Sequence, residues 1–326
     1  FAAHAENEIR ELADLMQIPV ITTMMGISVF PDDDQLFCGM IGTHGVKMAN
    51  AAVNECDVLF LVGARVGDRA VKTPLALEKT TKIIHIDIDP AEIGKNIGAD
   101  LPLVGDAKLV LQQMTELAKP MKHDEWIAHI KTLGGERKYV EPAKGTVNPR
   151  VFIDRLAKKM PANVTVVADV GQNQIWTCTE YKFRKEGRLL TSGGMGTMGY
   201  SVPAAIGAKM ADNSRATVAI CGDGAFQMSF MELATAVQFG VDIKVVVMTN
   251  NRLGMVRELQ TNGYHDRQTA VFLDGSPDFI KLAEAYGIPA MRVYDDDTME
   301  KGVEMLAEHK GICLVEVVVD KDMPTL

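Results

Sequence analysis

Two polar residues that each follow a strand-like run, Asp223 and Asn250, are the side chains of this sequence best placed to do chemistry. Asp223 lies in the run TVAICGDG and Asn250 in the run IKVVVMTNN, 27 positions further on. One strand–helix–strand unit needs about this much chain, so both oxygens could emerge at the same edge of a parallel sheet. There they could hold a hard cation such as Mg²⁺, and the cation could hold a phosphorylated cofactor.

Each half of this pair also has an ordinary structural interpretation. Taken alone, Gly222-Asp223-Gly224 is typical of a tight turn in which the aspartate caps the next helix. Asn250-Asn251 alone likewise indicates a turn. The combination favours a metal site, because a carboxylate, an amide oxygen and a nearby backbone carbonyl would supply half of an octahedral shell.

A glycine-rich segment, GMGTMG at 194–199, satisfies the pattern G-x-G-x-x-G between a strand candidate and a helix candidate. The pattern is compatible with a dinucleotide site, with another phosphate site, or with a plain strand-to-helix turn. A dinucleotide site needs an acidic residue ~20 positions further on. Asp223 lies 29 positions beyond Gly194, which fits poorly, so the plain turn is favoured on pattern alone.

Charged residues also follow the two best strands of the first half of the chain. The tripeptide GAR at 63–65 comes after one of them and DID at 87–89 after the other. A nucleotide could bind there, with arginine on phosphate and aspartate on ribose hydroxyls. Solvated loop charges are the favoured interpretation when these residues are taken by themselves.

The composition narrows the class of protein. With 326 residues, 47% of them apolar and 24% charged, the chain is long enough for about two domains with sizeable cores. The formal charge of −9 argues against a nucleic-acid partner. Five dispersed cysteines without a C-x-x-C pair are typical of a reducing compartment, here the cytoplasm. The sequence has no zinc-type His/Cys cluster, no apolar run of ~18 residues and no signal peptide, so neither zinc nor a membrane is expected.

The elements that would position these residues follow an α/β pattern. Residues 5–16 place apolar side chains on one helical face, and the strand-like runs IPVITT, DVLFLVG and KIIHIDI follow along the chain. Residues 119–149 are rich in Lys, Glu, His and Gly and are punctuated by proline. That stretch indicates a helix-containing connection between two domains.

The second half of the chain alternates in the same way. Helical stretches, notably YSVPAAIGAKMA and SFMELATAVQFG, fall between most of its strand candidates, and Asn148-Pro149 opens a further helix. The strand candidates are VTVVADV, RLLTSGG, TVAICGDG, IKVVVMTNN, MRVYD and CLVEVVVD. This rhythm predicts an α/β protein with two doubly wound parallel-sheet domains, at 1–130 and 148–326, joined by a linker at 131–147.

The sequence around these residues resembles that of the acetolactate (acetohydroxyacid) synthase family of thiamine diphosphate-dependent enzymes. GDG followed by an asparagine at this distance is the wider family's signature. The closer similarity covers DVGQNQIW, SGGMGTMGYSVPAAIGA, GDGAFQMSFMELATA and NNRLGMVRELQ in the second half, and IPVITTMMG, GARVGDR and HIDIDPAEIGKN followed by GDAK in the first. The resemblance runs over nearly the whole chain. It implies that 1–130 is the family's central domain without its first strand and that 148–326 is the diphosphate-binding domain.

In the second domain the resemblance implies a site for Mg²⁺ and thiamine diphosphate. Asp223, Asn250 and the backbone carbonyl of Arg252 would coordinate the metal. Met255 would be the apolar prop that bends the cofactor, a role that suits a long and flexible thioether. Further residues would surround the cofactor: Gln172, Asn173, Gly224, Ala225, Leu253 and Gly254 at the diphosphate, and Gly196 and Met198 at the aminopyrimidine. The GMGTMG turn would thus face a cofactor, although not a nicotinamide one.

In the first domain the resemblance implies FAD, which has no redox part in the family's net reaction. Seven residues would contact it by similarity: Thr43, His44, Gly63, Ala64, Arg65, Asp87 and Asp106. Gly67 stands where the family often has aspartate, which weakens one contact. Relatives with the same central fold bind other nucleotides or none.

The implied activity is a carboligation. Pyruvate would be decarboxylated and its two-carbon unit joined to a second 2-ketoacid, a step of branched-chain amino acid biosynthesis, with the cofactor as the electron sink. The resemblance further implies a homodimer or tetramer with active sites formed between two subunits, and a small regulatory subunit as a partner.

Two departures from the family pattern concern the second domain. Asn173 replaces the usual histidine beside the diphosphate and is expected to keep a hydrogen-bond donor there. Leu259 replaces the tryptophan that in many members shapes the pocket for the second substrate. The smaller side chain leaves open the preference between pyruvate and 2-ketobutyrate.

The largest departure is an absence. The glutamate that activates the cofactor belongs to an N-terminal domain of the family, so no catalytic residue is expected in this chain, and the chain is expected to be part of a longer protein. The alternatives are another thiamine diphosphate-dependent carboligase or decarboxylase, such as one resembling glyoxylate carboligase, and a cofactor-binding module without catalysis.

Overall fold

The computed structural model describes residues 2–135 and 139–326. Phe1 and residues 136–138, the latter within the predicted linker, lie outside the described residues. The chain divides into two compact units, Phe1–Arg137 and Lys138–Leu326, which are described separately. Among the described residues, no helix is both long and apolar enough to cross a membrane.

The first unit contains two parallel sheets with helices between their strands. One sheet pairs β1 with β2, and the other has the order β3-β4-β5. The strands are β1 (Val20–Thr22), β2 (Phe37–Met40), β3 (Val58–Val62), β4 (Lys82–Asp87) and β5 (Leu101–Val104). The helices are α1 (Glu6–Met16), α2 (Lys47–Glu55), α3 (Pro74–Leu77), α4 (Ala107–Leu117) and α5 (Asp124–Leu133).

The carboxyl ends of β3, β4 and β5 meet at one edge of their sheet. Gly63 N, directly after β3, donates to Ile86 O at 2.8 Å, and Gly105 N, directly after β5, donates to Asp87 O at 2.9 Å. The parallel pairing therefore brings the loops that follow these three strands side by side.

The second unit is built on a six-stranded parallel sheet with the order β10-β11-β9-β8-β6-β7. Its strands are β6 (Thr165–Ala168), β7 (Arg188–Thr191), β8 (Thr217–Gly222), β9 (Lys244–Thr249), β10 (Ala290–Val293) and β11 (Cys313–Val318). Its helices are α6 (Pro149–Lys159), α7 (Gln172–Glu180), α8 (Ser201–Ala211), α9 (Asp223–Phe226), α10 (Leu233–Gln238), α11 (Gly254–Gly263), α12 (Phe279–Ala285) and α13 (Asp296–Glu308).

Helices cover both faces of this sheet. Successive residues of a strand point to opposite faces, so each strand contributes side chains to both layers of packing. On β8, Ala219 and Cys221 join a core with residues of α8, α10 and α12. The neighbouring Val218 and Ile220 are also fully buried, although they lie outside that core. On the other side, α6 packs against α7 and α13. The fold is the predicted α/β class with parallel sheets.

The strand order reverses at the centre of this sheet. The chain passes from β6 outward to β7 and then returns across β6 to β8 and β9. In such sheets, ligands bind at the carboxyl ends of the strands beside the reversal. The residues directly after β6, β8 and β9 are Asp169, Asp223 and Asn250, so the predicted pair lies at this point.

The elements that differ from the prediction are short. The segment SFMELATAVQFG, predicted as one helix, begins with a 3-10 turn at Phe230–Glu232 before α10. β2 and β5 were not predicted, because each is four residues long and contains Gly39 or Pro102. Proline removes a backbone donor, and β5 tolerates it as an edge strand.

Packing of α13 on the sheet predicts opposite effects for two glycine substitutions. A Cβ on Gly302 would lie 2.6 Å from Val293 Cγ2, whereas a Cβ on the exposed Gly207 of α8 would meet nothing within 4 Å. We expect Gly302→Ala to lower the free energy of unfolding by about 1–3 kcal/mol through overpacking. Gly207→Ala should raise it by about 0.5–1 kcal/mol, because alanine is the better helix former. Urea unfolding of both variants tests this, and equal effects would contradict it.

Candidate functional site

A cleft of about 200 Å³ opens at the carboxyl ends of β6, β8 and β9 in the second unit. Its wall comes from the loops after these strands and from the starts of α7, α9 and α11. It includes twelve of the predicted site residues: Gln172, Asn173, Met198, Asp223, Gly224, Ala225, Asn250, Arg252, Leu253, Gly254, Met255 and Leu259. Gly196 is not among the described residues that line the cleft. It lies in the exposed turn before Met198.

Asp223 is a buried carboxylate held entirely by backbone donors. Its Oδ1 accepts from Gly224 N at 2.8 Å, and its Oδ2 accepts from Asn250 N at 3.1 Å and Asn251 N at 2.6 Å. Burial raises the pKa of this carboxyl to about 6, and the three backbone hydrogen bonds oppose the rise. A desolvated anion of this kind is stabilised by a nearby cation.

Asn250 lies beside this carboxylate with its amide orientation set by its neighbours. Its Oδ1 accepts from Arg252 N at 3.0 Å, while its Nδ2 lies 3.4 Å from Gln172 Oε1. The carboxylate of Asp223 and the amide oxygen of Asn250 thus stand at one wall with Arg252, and all three line the cleft. Oxygen atoms of these types fit Mg²⁺ rather than a softer metal.

The described residues contain no group of three or more His, Cys, Asp or Glu side chains that could hold a metal ion. This finding does not bear on a magnesium site of the kind outlined above, in which an amide, a backbone carbonyl and phosphate oxygens complete the shell.

The longer helices that begin at this cleft, α7 and α11, start without a capping side chain. Gly171 precedes α7 and Leu253 precedes α11, and neither helix receives a side-chain hydrogen bond at its N-cap. The first backbone N–H groups of a helix have no partner within the helix, and the helix dipole adds positive potential there. The two N-termini therefore form an electropositive wall suited to a phosphate group.

Gln172 fills the space beside Gly254, and this contact explains why position 254 is glycine. A Cβ on Gly254 would lie 1.9 Å from Gln172 Oε1. The Nε2 of Gln172 points the other way, toward Glu258 Oε2 at 3.1 Å and Met323 O at 2.9 Å. Gln172 thus joins the start of α7 to α11 and to the C-terminal segment.

Asn173 is buried, and its donors face the sheet. Its Nδ2 lies 2.8 Å from Asp169 O and 3.2 Å from Ile220 O, at the ends of β6 and β8. The oxygen Oδ1 is the atom directed at Gly171 and Gly222. In this arrangement Asn173 links two strand ends, and a donor toward a diphosphate would require the amide to leave one of these carbonyls.

The GMGTMG segment forms the turn that connects β7 with α8. Its Gly196 and Gly199 have φ angles of +63° and +85°, in the region that favours glycine. The fully buried Asp169 anchors the end of this turn by accepting from Gly199 N at 3.0 Å and Ser201 N at 2.7 Å. The turn places the half-buried Met198 in the cleft wall.

The remaining wall is apolar and partly open to solvent. Met255 and Leu253 are half-buried, whereas Leu259, one turn further along α11, is 61% exposed at the rim. Trp176 also lines the cleft, and its Nε1 donates to Pro324 O at 3.1 Å. This composition suits the organic part of a small-molecule ligand.

A short antiparallel contact holds the loop that carries Asn250. Leu253 N donates to Val271 O at 2.9 Å, and Leu273 N donates to Asn251 O at 3.0 Å. The guanidinium of Arg252 lies over the Phe272 ring at 4.6 Å and bonds Asp274 Oδ1 at 2.8 Å. Because Asp274 is largely exposed, its ion pair with Arg252 stabilises the loop only slightly. The contact with the Phe272 ring and the backbone hydrogen bonds contribute most of the stabilisation of this loop.

This contact predicts a local effect of Phe272→Ala. Loss of the cation–π contact should weaken the hold on the loop by about 0.5–1 kcal/mol. We expect faster amide hydrogen exchange at residues 250–254, with the rest of the second unit unchanged. Phe239→Ala, at a similarly exposed phenylalanine after α10, is the matched control. Unchanged exchange in the Phe272 variant would show that the ring does not order the loop.

The residues predicted for FAD lie in the first unit, at loops that follow its strands. Gly63, Ala64 and Arg65 follow β3, Asp87 ends β4, and Asp106 follows β5. Asp87 Oδ1 accepts from Asp89 N at 2.9 Å, and Asp106 caps α4 by accepting from Leu109 N at 3.1 Å. Thr43 and His44 follow β2, and Thr43 N donates to Arg69 O at 2.9 Å, which ties their loop to the one after β3.

Some residues in the cleft wall or behind it were not predicted from the sequence. Trp176 stands four positions after Gln172 on α7, and Glu258 four positions after Gly254 on α11. Residues at this spacing share one helix face, so helical periodicity could have identified both. Residues 322–326 carry no such signal, because their contacts with Gln172 span about 150 positions.

Sequence models of two protein domains match the chain. The one described as "Thiamine pyrophosphate enzyme, central domain" matches residues 2–114, and the one described as "Thiamine pyrophosphate enzyme, C-terminal TPP binding domain" matches residues 169–317. Both carry the name of the same enzyme family, and together they take in parts of both units.

Curated relatives are similar over nearly the whole chain. The "Probable acetolactate synthase large subunit" of Methanocaldococcus jannaschii is 40% identical over 327 residues, covering 97% of this chain and 55% of the relative. The "Acetolactate synthase" of Arthrospira platensis is 39% identical, covering 98% and 57%. The "Acetolactate synthase large subunit" of Lactococcus lactis is 36% identical, covering 96% and 54%. The chain thus spans about half the length of the curated relatives it matches.

Proposed function

The chain belongs to the thiamine pyrophosphate enzyme family, and from this premise we propose that it is the central and diphosphate-binding part of an acetolactate synthase-like carboligase. One observation carries the proposal: two helix N-termini without capping side chains and the buried carboxylate of Asp223 line one cleft. A Mg²⁺-diphosphate group carries the matching charges.

Mg²⁺ would be held by Asp223, by the Oδ1 of Asn250 and by the carbonyl of Arg252. The cation would neutralise the desolvated carboxylate of Asp223, which, among the described residues, accepts hydrogen bonds only from backbone N–H groups. Phosphate oxygens and water would complete the six ligands that Mg²⁺ prefers.

The diphosphate would lie against the starts of α7 and α11. Backbone N–H groups of Gln172, Asn173, Gly254 and Met255 would donate to it there. The side chains of Gln172 and Asn173 are engaged elsewhere, so we assign them to shaping the wall. Gly224 and Ala225 would line the floor, with Leu253 above them.

The organic part of the cofactor would occupy the apolar half of the cleft. Met255 is proposed as the prop beneath it, with Met198 and Gly196 at the aminopyrimidine end. When bound, thiamine diphosphate supplies an electron sink for cleavage beside a ketone carbonyl. The chain's own residues orient it and exclude water. The half-exposed Leu259 lies where the second 2-ketoacid would enter.

The activity of the whole protein is proposed to be decarboxylation of pyruvate and transfer of the two-carbon unit to a second 2-ketoacid, in branched-chain amino acid biosynthesis in the cytoplasm. The activating glutamate would come from outside residues 1–326. Two of the relatives are named as large subunits, which supports assembly with a small subunit. A homodimer or tetramer of the large chain is proposed alongside it.

FAD is proposed as the ligand of the first unit. The supporting observation is that the loops after β3, β4 and β5 lie side by side, with Gly63, Asp87 and Asp106 at their starts. Aspartates at such strand ends suit ribose hydroxyls. Flavin absorbance retained by the purified protein after gel filtration tests this proposal, and its absence after incubation with excess FAD would oppose it.

The experiment that tests the main proposal is titration of the chain with thiamine diphosphate, with Mg²⁺ present or replaced by EDTA. Trp176 lines the cleft and should report binding through its fluorescence. We expect saturable binding only with Mg²⁺. Product analysis of the full-length protein with pyruvate and with glyoxylate then separates an acetolactate synthase from a glyoxylate carboligase. Equal affinity for thiamine diphosphate with Mg²⁺ and with EDTA would refute the metal assignment.

A further inference from the structure

A network of side chains stands behind the proposed metal site and links α7, α11 and the C-terminal segment. Glu258 Oε2 accepts from Gln172 Nε2 at 3.1 Å, from Thr325 N at 3.1 Å and from the hydroxyl of Thr325. Gln172 Nε2 also lies 2.9 Å from Met323 O. Met323 and Thr325 are both buried, so water is largely excluded from this network.

The network has a fixed direction, because its anchors are acceptors. A carboxylate and a backbone carbonyl cannot donate, so Gln172 must turn its Nε2 toward Glu258 and Met323. This orientation leaves Gln172 Oε1 facing the cleft, where it accepts from Asn250 Nδ2 at 3.4 Å. Asn250 in turn presents Oδ1 on its other side, where Arg252 N donates at 3.0 Å.

The two amides have nearly the same shape in either orientation, so only their partners decide which atom faces the cleft. If Asn250 were turned by 180°, its NH₂ group would replace the oxygen proposed to bind Mg²⁺, and the metal would lose a ligand. Arg252 N supports the productive orientation from one side, and the path from Glu258 through Gln172 supports it from the other.

We propose that Glu258 is a positioning residue of the metal site. Its carboxylate fixes the orientation of the Gln172 amide, and Gln172 in turn holds the Asn250 amide with Oδ1 toward the cation. The inference rests on the proposed function, because it concerns the Mg²⁺ ligand Asn250. Removing groups that orient a metal ligand typically lowers metal affinity by about 10–100-fold.

Glu258→Gln tests this proposal with little change of shape. The new amide can still accept from Thr325, but it can also offer NH₂ to Gln172, so the direction of the network is lost. The probe is Mn²⁺ in the presence of thiamine diphosphate, followed through the electron paramagnetic resonance signal of the free ion. We expect Mn²⁺ to bind about tenfold more weakly, with the unfolding midpoint of the metal-free protein unchanged.

Controls separate positioning from a merely structural role. Glu284→Gln, at an exposed glutamate on α12, should leave both quantities unchanged. In a Gln172→Met background, which breaks the path to Asn250, Glu258→Gln should cause no further loss of affinity. Rescue of the affinity by Glu258→Asp would support a requirement for the carboxylate.

Two results would overturn the proposal: a Glu258→Gln variant that binds Mn²⁺ within about twofold of the parent chain, or an equal loss in the Gln172→Met background. A fall in the unfolding midpoint without a change in affinity would assign Glu258 to holding the C-terminal segment instead. The Asp223→Asn variant tests the proposed function separately. If it keeps the parent affinity, the metal site itself is wrongly assigned.

Discussion

Asp223→Asn is expected to lower the affinity for Mg²⁺ or Mn²⁺ with thiamine diphosphate by more than about 100-fold, because a neutral amide replaces the only carboxylate that the described residues contribute to the cleft wall. The amide oxygen can keep the hydrogen bonds from Asn250 N and Asn251 N, so the loop after β9 retains its position. The loss should therefore appear in metal binding and not in the fold.

The stability of the metal-free variant follows from the pKa of Asp223. Folding raises this pKa from an ordinary value of 3.8 to about 6, with burial as the main cause. A carboxyl whose folded-state pKa is raised stabilises the fold only at low pH, and that contribution is lost as the pH rises through about 6. At neutral pH the buried charge costs the metal-free protein roughly 3 kcal/mol.

Asp223→Asn removes that cost but turns an NH₂ group toward Gly224 N, which loses its acceptor at a cost of about 1–3 kcal/mol. The two effects oppose each other, so the metal-free variant should unfold within about 2 kcal/mol of the parent. Urea unfolding in EDTA and Mn²⁺ titration measure the two quantities. Asp297→Asn, at an exposed aspartate of α13, is the control. If the Asp223→Asn variant binds the metal as tightly as the parent protein, the assignment of Asp223 as a metal ligand is wrong.

The parts of the fold that the sequence predicted best are those with the fewest ways to be arranged. β6, β8, β9 and β11 are buried on both faces, and a parallel strand in that position has to be a continuous apolar run. The lengths of the intervening helical stretches then bring Asp223 and Asn250 to one edge. Local pattern alone was sufficient for this pair.

The orientation of the side chains was beyond prediction from the sequence. The sequence predicts that Asn173 donates toward the diphosphate in place of a histidine, yet its amide nitrogen donates to Asp169 O and Ile220 O. Hydrogen-bond partners on other strands decide this, and no local pattern encodes them. Similarly, Thr325 meets Gln172 across 153 positions, and such a contact emerges only when the fold is complete.

Gly254→Ala is expected to disrupt the site and the fold together. The new Cβ would lie 1.9 Å from Gln172 Oε1 and 3.0 Å from Asn250 Nδ2, so Gln172 must move. Its displacement breaks contacts with Glu258 and Met323. We expect the free energy of unfolding to fall by about 2–3 kcal/mol despite the better helix propensity of alanine. Metal–diphosphate affinity should fall at least about tenfold, because Asn250 loses its neighbour.

A double-mutant cycle shows whether the Gln172 side chain is the cause. Gln172→Ala removes the atoms that a methyl group at position 254 would strike, so in that background Gly254→Ala should cost less than about 1 kcal/mol. Gly263→Ala is the control on the same helix, because a Cβ there meets nothing within 4 Å. Urea unfolding of the four proteins of the cycle provides the numbers. If the cost of Gly254→Ala is equal in both backgrounds, the clash lies with the backbone, and the proposed packing of Gln172 against α11 is wrong.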